Sequence, residues 1–367
     1  MILILKLSFA FLSAFIICCM AIPAIIKVAS LKNLTDAPDQ ERKFHKETIP
    51  TLGGIGIFAA FLISFSIMGE ASSLTSYPYF VAALFMLFLV GIKDDILIIS
   101  PLKKLAIQIF ASIEIVVIGG VILADLNGIF GISQIAYIPS IILSTLIFVV
   151  LINSFNFIDG INGLAGGVGV IISGTLGFWF VISGFFTMAV LAFVLTGALL
   201  GFLIFNYPKA SIFMGDTGAM VVGFILIYLV FQFLTLNGSN PNSAYYITNA
   251  PIFALALFII PVVDTLRVVT IRLWNGKNPM KADYNHLHHF FIKEGMSPVW
   301  IAPLLWAWNI IIILIGYQFG YLNPNVLLIL ILVTGFAIKP ITILISLFKV
   351  GEHRPKSLIK FFPNYLK

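Results

Sequence analysis

The chain has 367 residues, 60% of them hydrophobic and only 10% charged, with 21 Lys plus Arg against 15 Asp plus Glu. A soluble domain carries about 25% charged residues, so the composition excludes a soluble enzyme and points to an all-α integral membrane protein. The net charge of +6 does not call for nucleic acid, because Lys and Arg kept in cytoplasmic loops and attraction to anionic lipid head groups account for it.

About 20 mostly apolar residues cross the hydrocarbon core as one helix. The sequence offers about eleven transmembrane stretches: 2–29, 52–69, 78–93, 103–123, 138–155, 166–184, 187–206, 217–235, 250–272, 298–317 and 324–348. All Lys and Arg residues except Lys6 and Lys339 fall in, or at the edge of, every second gap, and the intervening gaps carry only Glu70 and Asp125 as charges. The positive-inside rule then places the N-terminus outside and the C-terminus in the cytoplasm. Residues 1–348 read as a single polytopic membrane domain with cytoplasmic catalytic loops, and 349–367 as a basic cytoplasmic tail. The first stretch outruns the apolar core of a signal peptide, about 15 residues at most, and reads as a retained span.

In chain order, the first inner loop carries Arg42, Lys43, His45 and Lys46 ahead of Pro50-Thr51-Leu52-Gly53-Gly54. Its cations enforce topology and can also meet a polyanion. Span three ends in Gly91-Ile92-Lys93-Asp94-Asp95, two carboxylates so close to hydrocarbon that water, a cation or a partner must offset them; the other reading is a solvated turn neutralised by Lys93, Lys103 and Lys104. Intramembrane Glu114 follows in span four without an evident task. After span five, Asn153, Asn156, Asp159 and Asn162 recur every third residue and are expected on one side of a helix or tight turn, suited to a polar ring edge or a hard cation. An interhelical polar seam is the other reading of that row.

Asn206-Tyr207-Pro208 leads to Phe213-Met214-Gly215-Asp216 at the start of span eight. Asp216 reads as an ordinary N-cap, or as a Mg²⁺ ligand beside a positive helix end that favours phosphate. The largest loop holds His286, His288 and His289. Clustered His suggests zinc, but with no HExxH and no nearby Cys, hydrogen bonds to phosphate oxygens fit better.

These pieces together resemble the polyprenyl-phosphate N-acetylhexosamine-1-phosphate transferases, the superfamily of WecA, TagO and MraY. The matching segments are "RKFHKETIPTLGG", "GIKDD", "NSFNFIDGINGLAGG", "FNYPKASIFMGDTGA" and "DTLRVVTIRLWNGKNPMKADYNHLHH", in order over roughly residues 30–297. The HLHH spacing is closer to the WecA/TagO branch than to MraY, with three consecutive His.

The resemblance implies transfer of a sugar 1-phosphate from a UDP-N-acetylhexosamine, UDP-GlcNAc foremost, to polyprenyl (undecaprenyl) phosphate, with release of UMP. It implies Mg²⁺ (Mn²⁺ as a substitute), with Asp216 as principal ligand and Asn162 as a second metal position, although many bacterial members carry Asp at the latter. It also implies an essential acidic pair in Asp94 and Asp95, phosphate contacts from His286, His288 and His289, and Phe213 near the uracil. Lys46, Thr51, Asn153, Asn156, Asp159, Asn162 and Asn206 would surround the nucleotide. The implied location is the inner (cytoplasmic) membrane, with membrane lipids as partners and a homodimer allowed for. The alternatives are a phospho-MurNAc-pentapeptide transferase of the same superfamily and an ion-coupled transporter. Transporters place charge near the midplane, often in inverted repeats, whereas here the acids gather at one face and no repeat is visible.

Overall fold

The computed structural model describes residues 2–32, 34, 49–69, 75–97, 99–276, 290–292 and 296–348. Within them the apolar stretches form α1 (Ile2–Leu31), α2 (Gly53–Met68), α3 (Tyr77–Ile96), α4 (Pro101–Ile113), α5 (Tyr137–Phe157), α6 (Leu164–Ile182), α7 (Phe186–Asn206), α8 (Gly215–Ser239), α9 (Ala250–Leu257), α10 (Ile259–Trp274), α11 (Pro298–Gln318) and α12 (Pro324–Phe348). Six of the helices, α1, α5 with its 3₁₀ extension to Gly160, α6, α7, α8 and α11, are long and apolar enough to cross a membrane. The pair α9–α10, bent by 75°, adds a seventh if it counts as one span. The chain is therefore an all-α, multi-pass membrane protein.

Two expected stretches differ in detail. The fourth, 103–123, is helical only as far as Ile118, ending in a π-helical turn over Glu114–Ile118. Gly119 and Gly120 follow, and Gly120 has a φ of 68°, which a helix cannot continue through. The ninth, 250–272, is broken at Phe258 into α9 and α10.

Helix α8 is the axis of the bundle. Its residues are apolar on every side from Ala219 to Phe231, and nearly all are buried. A helix apolar all round belongs in the centre of a bundle, and α8 is packed by α2, α3, α5 and α6, while α1 lies against α2 and α7. Glycines set the closest approaches. A Cβ on Gly91 of α3 would stand 2.4 Å from Thr217 Cα, and one on Gly54 of α2 would stand 2.1 Å from the Gly218 nitrogen.

The polar segments sort to two ends. At one end a hairpin, Asp125–Ile129 paired antiparallel with Ile132–Gln134, is tied to its neighbours. Asn127 donates to Thr248 O (2.7 Å), the Phe130 amide donates to Asn325 Oδ1 (2.8 Å), and Asn249 donates to Gly320 O (2.7 Å). At the other end residues 50–54, the α3–α4 turn, the α5–α6 connection and the 207–214 segment converge on the start of α8.

Candidate active site

The start of α8 is built from backbone pairing. Phe213 N donates to Pro50 O (2.8 Å), Gly53 N to Phe213 O (2.9 Å) and Gly54 N to Met214 O (2.9 Å). Thr51 O lies only 1.9 Å from where a Gly215 side chain would begin, and Gly215 has a φ of 72°, so this position requires Gly.

The first α8 amides have no partner within the helix and are capped by carboxylates from elsewhere. Asp95 Oδ1 accepts from Asp216 N (2.8 Å), while Asp95 Oδ2 accepts from Thr217 N (3.0 Å) and from the Thr217 hydroxyl. The Gly215 amide donates to Asp159. Asp216 is thus not the cap of its own helix. Nor is the positive end of α8 open to a phosphate, because two carboxylates already occupy its leading amides.

Asp216 is left with its carboxylate directed outward. Its Oδ1 accepts from the Lys104 ammonium and from the Asn156 amide. Lys104 Nζ also reaches Asp94 Oδ2 at 3.1 Å, and the Asp94 and Asp216 carboxyls lie against one another. Asp94 Oδ1 accepts from the Ile99 amide at 2.7 Å, fixing the turn into α4. The Asp216 side chain is 31% exposed, against 10% for Asp94 and 15% for Lys104. The adjacent acids of span three therefore have different jobs. Successive helix positions are about 100° apart, and here one faces α8 while the other faces Lys104.

The row of every-third polar residues also divides. Three residues fall about 60° short of a helical turn, so the direction drifts along the row. Asn153 donates to Gln108 Oε1 (2.6 Å) within the α4–α5 seam, Asn156 reaches Asp216, and Asp159 reaches Gly215. Asn162 donates to Pro208 O (3.3 Å) in the next connection. The amide in contact with Asp216 is that of Asn156, not Asn162. Asn206 is buried, with both polar ends engaged: it accepts from Gly163 N (2.7 Å) and donates to Ile212 O (2.8 Å). Phe213 is half-buried at the edge of the cluster. Lys46, His286, His288 and His289 lie outside the described residues.

Sequence reading offered Lys104 only together with Lys93 and Lys103, as cations neutralising a solvated turn, and not as the one that bridges Asp94 and Asp216. The available signal was its place in the first turn of a helix opened by Pro101, ten positions after Asp94, where it can fold back over the acids. It also passed over Trp306. The indole donates to Leu164 O (3.3 Å), packs at 5.3 Å on Tyr207 and covers Gly167, where a Cβ would meet it at 2.0 Å. It thereby clamps the start of α6 against the segment that follows α7. An apolar groove of about 550 Å³ between α1, α6 and α7, lined by Phe11, Phe178 and Phe193, lies toward the opposite end of α6 and is no part of this site.

Residues 77–234, which carry Asp94, Asp95, Lys104, Asn156, Asp159 and Asp216, match the profile described as glycosyl transferase family 4. The undecaprenyl-phosphate alpha-N-acetylglucosaminyl 1-phosphate transferase of Escherichia coli O157:H7 is 30% identical over 276 residues, covering 74% of this chain and 72% of its own length. The chain belongs to glycosyl transferase family 4. The Yersinia pestis enzyme of the same description is 29% identical over 276 residues, covering 74% of this chain and 73% of its own. The decaprenyl-phosphate N-acetylglucosaminephosphotransferase of Mycolicibacterium smegmatis is 28% identical over 304 residues, 77% of this chain and 75% of its own. The family match thus spans both carboxylates and the lysine that joins them.

Proposed function

We propose that this glycosyl transferase family 4 protein transfers GlcNAc 1-phosphate from UDP-GlcNAc to a polyprenyl phosphate, undecaprenyl phosphate foremost, as the first membrane step of an envelope polysaccharide. The observation that carries the reading is the Asp94–Lys104–Asp216 cluster in a chain whose family relatives are named for this transfer.

A phosphate oxygen of the lipid attacks the sugar-linked phosphorus of UDP-GlcNAc. The bond from that phosphorus to the bridging oxygen breaks, UMP leaves with the electron pair, and a polyprenyl diphosphate GlcNAc remains. Such transfers depend mostly on alignment and charge neutralisation. The lipid phosphate has a second pKa of about 6, so no strong base is required. Asp94, with both oxygens engaged by Ile99 and Lys104, serves as a holder. Lys104 supplies positive charge to phosphate oxygens, and Asn156 fixes the Asp216 carboxylate. Asp95 and Asp159 keep α8 in place beneath it.

The donor set suits Mg²⁺. Among the described residues no group of three or more His, Cys, Asp or Glu forms a metal cage, but Mg²⁺ is ordinarily held by one or two carboxylates, with substrate phosphates and water completing the shell. Asp216 with Asp94 would hold it. When bound, it would neutralise charge on the diphosphate. Lys46, Thr51, Phe213 and the three histidines, His286, His288 and His289, complete the proposed nucleotide and phosphate contacts.

The proposed topology is eleven crossings in one membrane domain, residues 1–348, with the N-terminus outside. The site then faces the cytoplasm, where the soluble nucleotide is, and the prenyl chain stays in the bilayer. The test is purified protein with Mg²⁺, undecaprenyl phosphate and labelled UDP-GlcNAc. UMP and a lipid-linked sugar are expected in equal amounts. Folded protein that releases no UMP overturns the reading.

A further inference from the structure

A carboxylate oxygen has two lone pairs, and Asp216 Oδ1 already accepts from two donors, Lys104 Nζ and Asn156 Nδ2. On Asp94, Oδ1 accepts the Ile99 amide and Oδ2 meets Lys104. Asp95 and Asp159 are committed to the α8 amides. The position between Asp94 and Asp216 is thus filled by a side-chain cation.

A divalent ion bridging the same two carboxylates would stand where the ammonium stands. Retaining both would set three positive charges against two negative ones, whereas exchange leaves the pair neutral. We propose that Lys104 is a built-in counter-ion which a divalent cation must displace, and that a nucleotide diphosphate eases the exchange by giving the released ammonium a new anionic partner. Metal and nucleotide then load cooperatively: the ion binds weakly alone, and the diphosphate tightens it through Lys104. This rests on the proposal that Asp216 with Asp94 forms the metal site, and it adds the order and coupling of binding.

The exchange needs little movement. Lys104 lies in the first turn of α4, and its long, flexible stem lets the ammonium shift by several ångströms while the helix stays fixed. Asn156 retains its hold on Asp216, so the carboxylate stays oriented as its partner changes.

The experiment measures Mn²⁺ binding to the purified full-length protein by electron paramagnetic resonance of the free ion, with and without UDP. Chelation by UDP alone is subtracted from a protein-free series. In the unsubstituted protein UDP should tighten Mn²⁺ binding. In Lys104→Met, Mn²⁺ alone should bind about tenfold more tightly, within the usual range for coupled sites, and the added effect of UDP should shrink by a similar factor, to what direct phosphate ligation supplies. Lys104→Arg keeps the charge and should bind Mn²⁺ no more tightly than the unsubstituted protein. Lys104→Gln serves as a second neutral variant, and thermal melting confirms that each is folded.

Unchanged or weaker Mn²⁺ binding in both neutral variants overturns the exchange alone, provided Asp216→Asn abolishes binding. Mn²⁺ binding that survives Asp216→Asn overturns the metal site and the exchange together.

Discussion

Asp94 and Asp95 are neighbours in sequence, yet one joins Lys104 and Asp216 and the other holds a helix. Their substitutions should separate accordingly. Asp95→Ala removes three hydrogen bonds at the start of α8 and should lower stability by about 1–2 kcal/mol, the upper range for a lost helix cap, read by thermal melting of the purified protein. Asp216→Ala should leave the melting temperature within a degree or two and lower kcat by about 10²–10³, as for loss of a charge-stabilising group at a reacting centre. A large destabilisation from Asp216→Ala would assign it to the scaffold instead. The adjacent acids were visible in the sequence, but their separate tasks were not, since these depend on which face of α3 meets α8. Asn153 illustrates the same limit: its spacing grouped it with Asn156, whereas the rotation of α5 turns it toward Gln108.

At the scale of elements, contacts without side chains bring α2 and α3 against α8. Gly91→Ala places a methyl group 2.4 Å from Thr217 Cα, which is backbone and cannot turn aside. Moving α3 outward would draw Asp95 from the amides it caps, so Gly91→Ala should cost about 1–3 kcal/mol and lower turnover together with stability. Gly174→Ala in α6 meets nothing within 4 Å and should stabilise by about 0.5–1 kcal/mol, because Ala is the better helix former. Paired melting curves and UMP-release rates test both. Hydropathy revealed where helices lie, because burial in lipid demands long apolar runs. It did not reveal the break at Phe258, for residues 250–272 read as one run, although Pro261, which has no N–H to give to Leu257 O, was the available signal for the 75° turn. Lys104 was likewise legible as a cation but not as a bridge, which only the fold of the α3–α4 turn creates.

At the scale of the whole molecule, polar loops gather at two opposite ends, and the proposed topology, drawn from the lopsided Lys and Arg, turns the end that carries Asp94 and Asp216 to the cytoplasm. Single cysteines introduced at exposed Phe130, on the hairpin, and at exposed Lys103, at the start of α4, test this in a background with Cys18 and Cys19 replaced. A membrane-impermeant maleimide should label the Phe130→Cys protein in intact cells and the Lys103→Cys protein only after permeabilisation; the reverse pattern would invert the molecule. The central place of α8 has a consequence for how the protein is made. Of its neighbours, α2, α3, α5, α6 and α7 precede it in the chain and α9 follows it; Asp95 and Asp159, which satisfy its first amides, also precede it. When α8 leaves the ribosome, most of the groove it fills and both acids that receive it have already been synthesised, so it inserts into a socket that only α9 has still to close.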